Sequence, residues 1–147
     1  MLFGMLSRNC LAMLLCLMVE VFSYTAMAEQ ADKGLFIELT KVEQHQMNCR
    51  VIFLIDNKSG IAVESLSFEA VLFSIDGMVE RFILLDFVDI PYGKVRARQF
   101  ELENLLCGNI KQFLFNDITT CNVNGDNSDI CRENLFITTS TNIGVLD

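Results

Sequence analysis

One histidine, His45, one proline, Pro91, and no tryptophan stand among 147 residues, and basic side chains are scarce, with 11 Lys and Arg against 19 Asp and Glu for a net charge of −8. Each shortage excludes something. A serine or cysteine nucleophile normally relies on a neighbouring base, and a lone His45 at a strand edge is a poor source of one. There is no Gly-x-Ser-x-Gly, no His-Glu-x-x-His and no glycine-rich phosphate loop, so the chain reads as non-catalytic and without a cofactor. Too few Lys and Arg are present to neutralise a phosphate backbone or an anionic leaflet, which argues against nucleic acid as a partner. The carboxylate pairs Asp86 with Asp89 and Glu101 with Glu103 are dispersed as on solvated faces. Linkers, repeats and low-complexity tracts are also missing, so one domain suffices.

Hydrophobic residues are abundant, at 52% of the chain, and part of them belong to residues 1–28. Arg8 supplies positive charge, Leu11 to Val19 is an uninterrupted apolar run, and Ala26-Met27-Ala28 is a small-x-small cleavage site, which together read as a secretory signal helix cleaved after Ala28. The run stops at Glu20, short of the roughly 20 residues that span a bilayer, so the mature chain is not expected to span a membrane. Leu15 before Cys16 is too large for a lipid-anchor site, and Arg8 has no second arginine beside it. The expectation is Sec-type export to a periplasm, leaving residues 29–147 as the folding unit. Its charge stays at −8, because Arg8 and Glu20 leave together.

From Gly34 onward the apolar period is two, that of strands. Leu35, Ile37 and Leu39 alternate with polar or outward residues, and Cys49 to Ile55 is apolar on both faces, as a central strand would be. Leu66 to Ile75 puts Leu66, Phe68, Ala70 and Leu72 on one face, and Asp76-Gly77 predicts a tight hairpin with two left-handed residues. Val79 to Phe87 returns, Pro91 to Lys94 makes a corner, and Val95 to Leu102 alternates. Glu103 to Ile110 reads as a crossover, Lys111 to Thr119 as a strand, Cys121 to Cys131 as a polar loop and Leu135 to Thr141 as a last strand. This predicts an all-β antiparallel sandwich or barrel of about seven strands.

Cleavage removes Cys10 and Cys16 and leaves Cys49, Cys107, Cys121 and Cys131, an even set that suits disulfides in an oxidising compartment. Three connectivities are open. The strand reading favours Cys49–Cys107 with Cys121–Cys131: the second pair brackets one loop, and the first lies near the second and sixth strands, which face each other in such sandwiches. No two cysteines have the spacing of a structural zinc site, so no metal ligands are assigned.

Several constellations have a chemical and a plain interpretation. His45, Met47 and Cys49 would line one face of a strand as soft copper ligands, against a turn residue, core filler and a half-cystine. The Asn- and Asp-rich segment Asn122 to Asp129 carries hard oxygens suited to calcium, but lacks EF-hand spacing. Asn57-Lys58-Ser59 is a glycosylation sequon in a turn. Arg96 and Arg98, two apart with Lys94 in register, form a basic stripe explained by edge protection or by an acidic partner.

The run Phe53-Leu54-Ile55-Asp56-Asn57, Leu66 to Phe73, Asp76-Gly77 and Ile90 to Lys94 before Phe100 resembles bacterial immunoglobulin-like domains of exported proteins. Cys49-Arg50, Pro91 to Lys94, Leu105-Leu106-Cys107, Asn116-Asp117-Ile118 and Cys121 further resemble a group of small uncharacterised exported proteins of alphaproteobacteria, often labelled with a twin-arginine signal domain. Arg8 stands alone here, so this chain departs from that label. The resemblance implies an all-β, immunoglobulin-like antiparallel β-sandwich of about seven strands and export, and no catalytic or binding residues. The expected function is that of a periplasmic protein-binding module or accessory subunit meeting an envelope protein, with a metal-binding or metal-chaperone protein as the alternative.

Overall fold

The described residues, 33–147, of the computed structural model form nine strands. They are β1 (Leu35–His45), β2 (Asn48–Asn57), β3 (Val63–Ser74), β4 (Val79–Ile90), β5 (Val95–Leu102), β6 (Ile110–Val123), β7 (Asp126–Asn127), β8 (Leu135–Thr139) and β9 (Gly144–Leu146). The expected signal segment lies outside these residues.

The strands form two sheets packed as a sandwich. One has the order β5-β2-β1-β8 and the other β4-β3-β6-β7, with β9 also on β6. The first, second and fifth strands thus face the third and sixth, the division of an immunoglobulin-like fold. The expected all-β sandwich stands, with two refinements. β7 and β9 raise the strand count, and the pairs β1–β8 and β6–β9 are parallel, so both sheets are mixed. Both parallel pairs come from the carboxyl-terminal segment, which visits one sheet as β8 and the other as β9. A strand that arrives by crossing between sheets, and not through a hairpin, has no reason to be antiparallel to its neighbour.

The inner faces meet over six phenylalanines. Phe53 on β2 makes edge-on contacts with Phe87, Phe100, Phe113 and Phe115 at centroid distances of 5.8 to 6.1 Å, and Phe68 adds contacts to Phe87 and Phe115. Such edge-to-face pairs add about 0.5–1.5 kcal/mol each to the area they bury. Leu66, Phe68, Ala70 and Leu72 are buried on one face of β3, as their spacing predicts.

Turns are where local chemistry differs from expectation. Between β3 and β4, only Gly77 is left-handed (φ 79°); its N–H donates to Ser74 O at 2.8 Å and Ser74 N–H donates to Met78 O, a longer turn than the two-residue hairpin expected. The two-residue left-handed hairpin occurs elsewhere, at Asn124 (φ 53°) and Gly125 (φ 83°) between β6 and β7, inside what reads as polar loop. β1 continues past Thr40 to His45, across a register shift between Leu39 and Lys41, and turns at Gln46 and Met47.

Candidate functional site

Cys49 bridges Cys107 and Cys121 bridges Cys131, the favoured pairing, with Cα–Cα distances of 4.9 and 6.0 Å. Two disulfides point to an oxidising, extracytoplasmic compartment. Among the described residues no helix is long and apolar enough to cross a membrane. The long bridge anchors the β5–β6 crossover to the start of β2. The short one ties β6 to the segment before β8.

The soft-ligand set is not assembled. β2 begins at Asn48, so Met47 lies in the turn and is exposed, and Cys49 is a half-cystine without a thiolate. His45 Nδ1 lies 3.6 Å from Glu101 Oε1, the carboxylate that takes two contacts from Arg50, at 2.7 and 2.6 Å. On the same hairpin, a hydrogen bond from Lys41 and its charge hold the exposed Glu43 carboxyl below the usual carboxylate range, with smaller help from Arg50 and His45. The Asn- and Asp-rich segment is drawn into the β6–β7 hairpin, where Gly125 N–H donates to Glu64 Oε2. Among the described residues no group of three or more His, Cys, Asp or Glu is gathered as a metal would require.

Asn57 is not an open sequon. It is fully buried; its Nδ2 donates to Ile61 O and Ile90 O at 2.8 and 2.9 Å, and its Oδ1 accepts from Ser59 N and Oγ. Its carbonyl accepts from Gly93 N–H. One residue thereby joins the ends of β2 and β4 through its side chain and meets the Pro91–Lys94 corner through its carbonyl.

The basic stripe turns inward. Arg96 and Arg98 share a row with Phe100 and Leu102, and Arg98 reaches from β5 across the open side of the sandwich to donate to Val88 O and Asp89 O on β4. In a regular strand successive carbonyls point to opposite edges. The left-handed Asp89 (φ 51°) breaks that alternation and lets one guanidinium collect both. At the other end Arg81 Nη1 donates to Glu103 O at 2.9 Å. β4 and β5 are edge strands of different sheets, so these two arginines latch a side that has no backbone ladder. Between the latches runs a groove of about 470 Å³, lined by Ile83, Leu84, Leu85, Phe100 and Leu102 together with polar and charged residues of both strands.

The outer face of β4 is also apolar. Phe82 is 62% and Leu84 56% exposed, on the face that carries Glu80, Asp86 and Val88. Phe82 pairs with Val71, and Val71 with Leu114, which pairs with Leu146, giving an apolar row across four strands. Ile75, Met78 and Val79 extend the exposed apolar area to the hairpin tip. The sequence does hold a signal for this surface, the unbroken run Phe82-Ile83-Leu84-Leu85, but alternation arguments treat such a run as a central strand.

No family model and no curated protein matches the chain. Its fold is similar to that of IrmA from Escherichia coli, with a TM-score of 0.54 and 14% sequence identity over 71% of this chain and 91% of that one. At that identity the similarity concerns fold alone.

Proposed function

We propose that the chain is a non-catalytic protein-binding module or accessory subunit of an envelope complex, exported to the periplasm by a Sec-type signal cleaved after Ala28. The observation that carries the reading is β4, a strand of 12 residues at a sheet edge with Phe82 and Leu84 exposed on its outer face. Soluble proteins normally blunt such edges with charge, proline or a covering element, because an exposed apolar edge invites association. An apolar edge kept in a secreted acidic protein makes sense as a docking surface.

A photo-crosslinking amino acid at Leu84, tested against one at Leu54 on the outer face of the other sheet, examines this in the envelope of the producing cell. A discrete, stoichiometric adduct at Leu84 and none at Leu54 is the expected result. No adduct at either position, or equal smears at both, would contradict the reading.

A further inference from the structure

β2 and β4 share a feature of composition. Val51 to Ile55 is five and Phe82 to Leu85 four apolar residues in succession, as is Ala70 to Phe73 on the central strand β3, so these strands present apolar side chains on both faces. β2 lies between β1 and β5, with a neighbour on each side. β4 has β3 on one side, and among the described residues no strand pairs with its other edge. Its seam partner β5 carries the usual edge protection in Arg96, Arg98 and Glu101, whereas β4 has no charge between Arg81 and Asp86.

We propose that β4 takes its second neighbour from another protein, by addition of an extended segment to its free edge between the two arginine latches. This rests on the protein-binding reading and names its mode. Seven residues, Glu80 to Asp86, span about 20 Å of edge at strand rise and match a segment of about seven residues. Alternate side chains of the segment enter the groove beside Ile83 and Leu85. The others lie on the outer face against Glu80, Phe82, Leu84 and Asp86, a row that reads acidic, apolar, apolar, acidic in either direction. Glu69, paired with Leu84 on β3, adds a further carboxylate to that face.

Complementarity therefore selects a segment of the form basic-x-apolar-x-apolar-x-basic. It disfavours a second copy of this chain. The two-fold antiparallel register that sets Phe82 against Leu84 of another copy also sets Glu80 against Asp86 twice, and like charges directly opposite are destabilising. A net charge of −8 on each copy adds to the repulsion.

The probe is a fluorescein-labelled peptide, Lys-Val-Val-Thr-Val-Val-Lys, compared by anisotropy with its Glu-flanked counterpart. Wild type should bind the Lys-flanked peptide at least tenfold more tightly; Glu80→Lys with Asp86→Lys should reverse the preference, and Phe82→Ser with Leu84→Ser should weaken both by tenfold or more. All four positions are exposed, so each variant is first required to melt within a few degrees of wild type. Absence of binding, equal binding of the two peptides, or no reversal overturns the proposal. So does sedimentation of wild type as a dimer that Phe82→Ser with Leu84→Ser dissociates, since the occupant would then be a second copy. A Leu84 photo-adduct without peptide binding would overturn strand addition alone and leave the protein-binding reading in place.

Discussion

The two open sides of the sandwich are closed by different means. On the side of β6 and β8, the chain itself crosses between the sheets as β8 and β9, the Cys121–Cys131 bridge ties β6 to the approach to β8, and Arg132 donates to Asp117 Oδ1 and Ile118 O. On the side of β4 and β5, beyond the corner that joins them, two arginines reach backbone carbonyls across a groove. Covalent and main-chain closure is permanent. Side-chain closure costs little to undo, because each guanidinium can exchange a carbonyl for water. The same sandwich therefore has one sealed margin and one that can admit a strand.

Four substitutions sharpen this contrast, in decreasing order of effect. Replacing Cys49 and Cys107 by Ala releases a loop of 58 residues and should lower stability by about 4 kcal/mol in urea titrations, loosening both margins together. Removing the Cys121–Cys131 bridge, which closes only 10 residues, should lower it by up to about 3 kcal/mol, with amide exchange rising along β6 and β8 but not along β4. Asn57→Ala strands the buried carbonyl of Ile90 and leaves that of Ile61 with Ser59 Oγ alone, and should lower stability by about 2–3 kcal/mol, with faster exchange near the Pro91–Lys94 corner. Arg98→Ala should lower stability by about 1 kcal/mol, since the latch is partly solvated, while speeding exchange at the end of β4 and sparing β6. Equal exchange changes on both margins in the second and fourth variants would break the comparison.

Much of the sealed scaffold is legible in sequence, because alternation fixes which residues face the core. β1, β3, β5, β6 and β8 fall where apolar residues recur at period two, β2 and β4 where they run continuously, and the strand order ranks the observed disulfide pairing first. β9 is only three residues, Gly144–Leu146, too short to show a period, and its parallel place beside β6 is set by tertiary packing. The Asn124-Gly125 turn is written plainly but is masked by its polar surroundings. Asn57 looks like a surface sequon because sequence spacing says nothing of Ile61 O and Ile90 O converging on its amide. The inward direction of Arg96 and Arg98 had a signal, since Phe100 and Leu102 follow at the same spacing. The docking edge is the least legible feature: a run such as Phe82 to Leu85 says that a strand has two neighbours, and only the sheet order reveals that one of them is missing.

The most direct measurement of the central claim is site-resolved amide hydrogen exchange of the full protein with and without the Lys-flanked peptide. New protection is expected at the edge-facing amides within Phe82 to Phe87 and none along β8, since a strand can be added at one margin and not at the other. Protection along β8, or no change in β4 at saturating peptide, would contradict it.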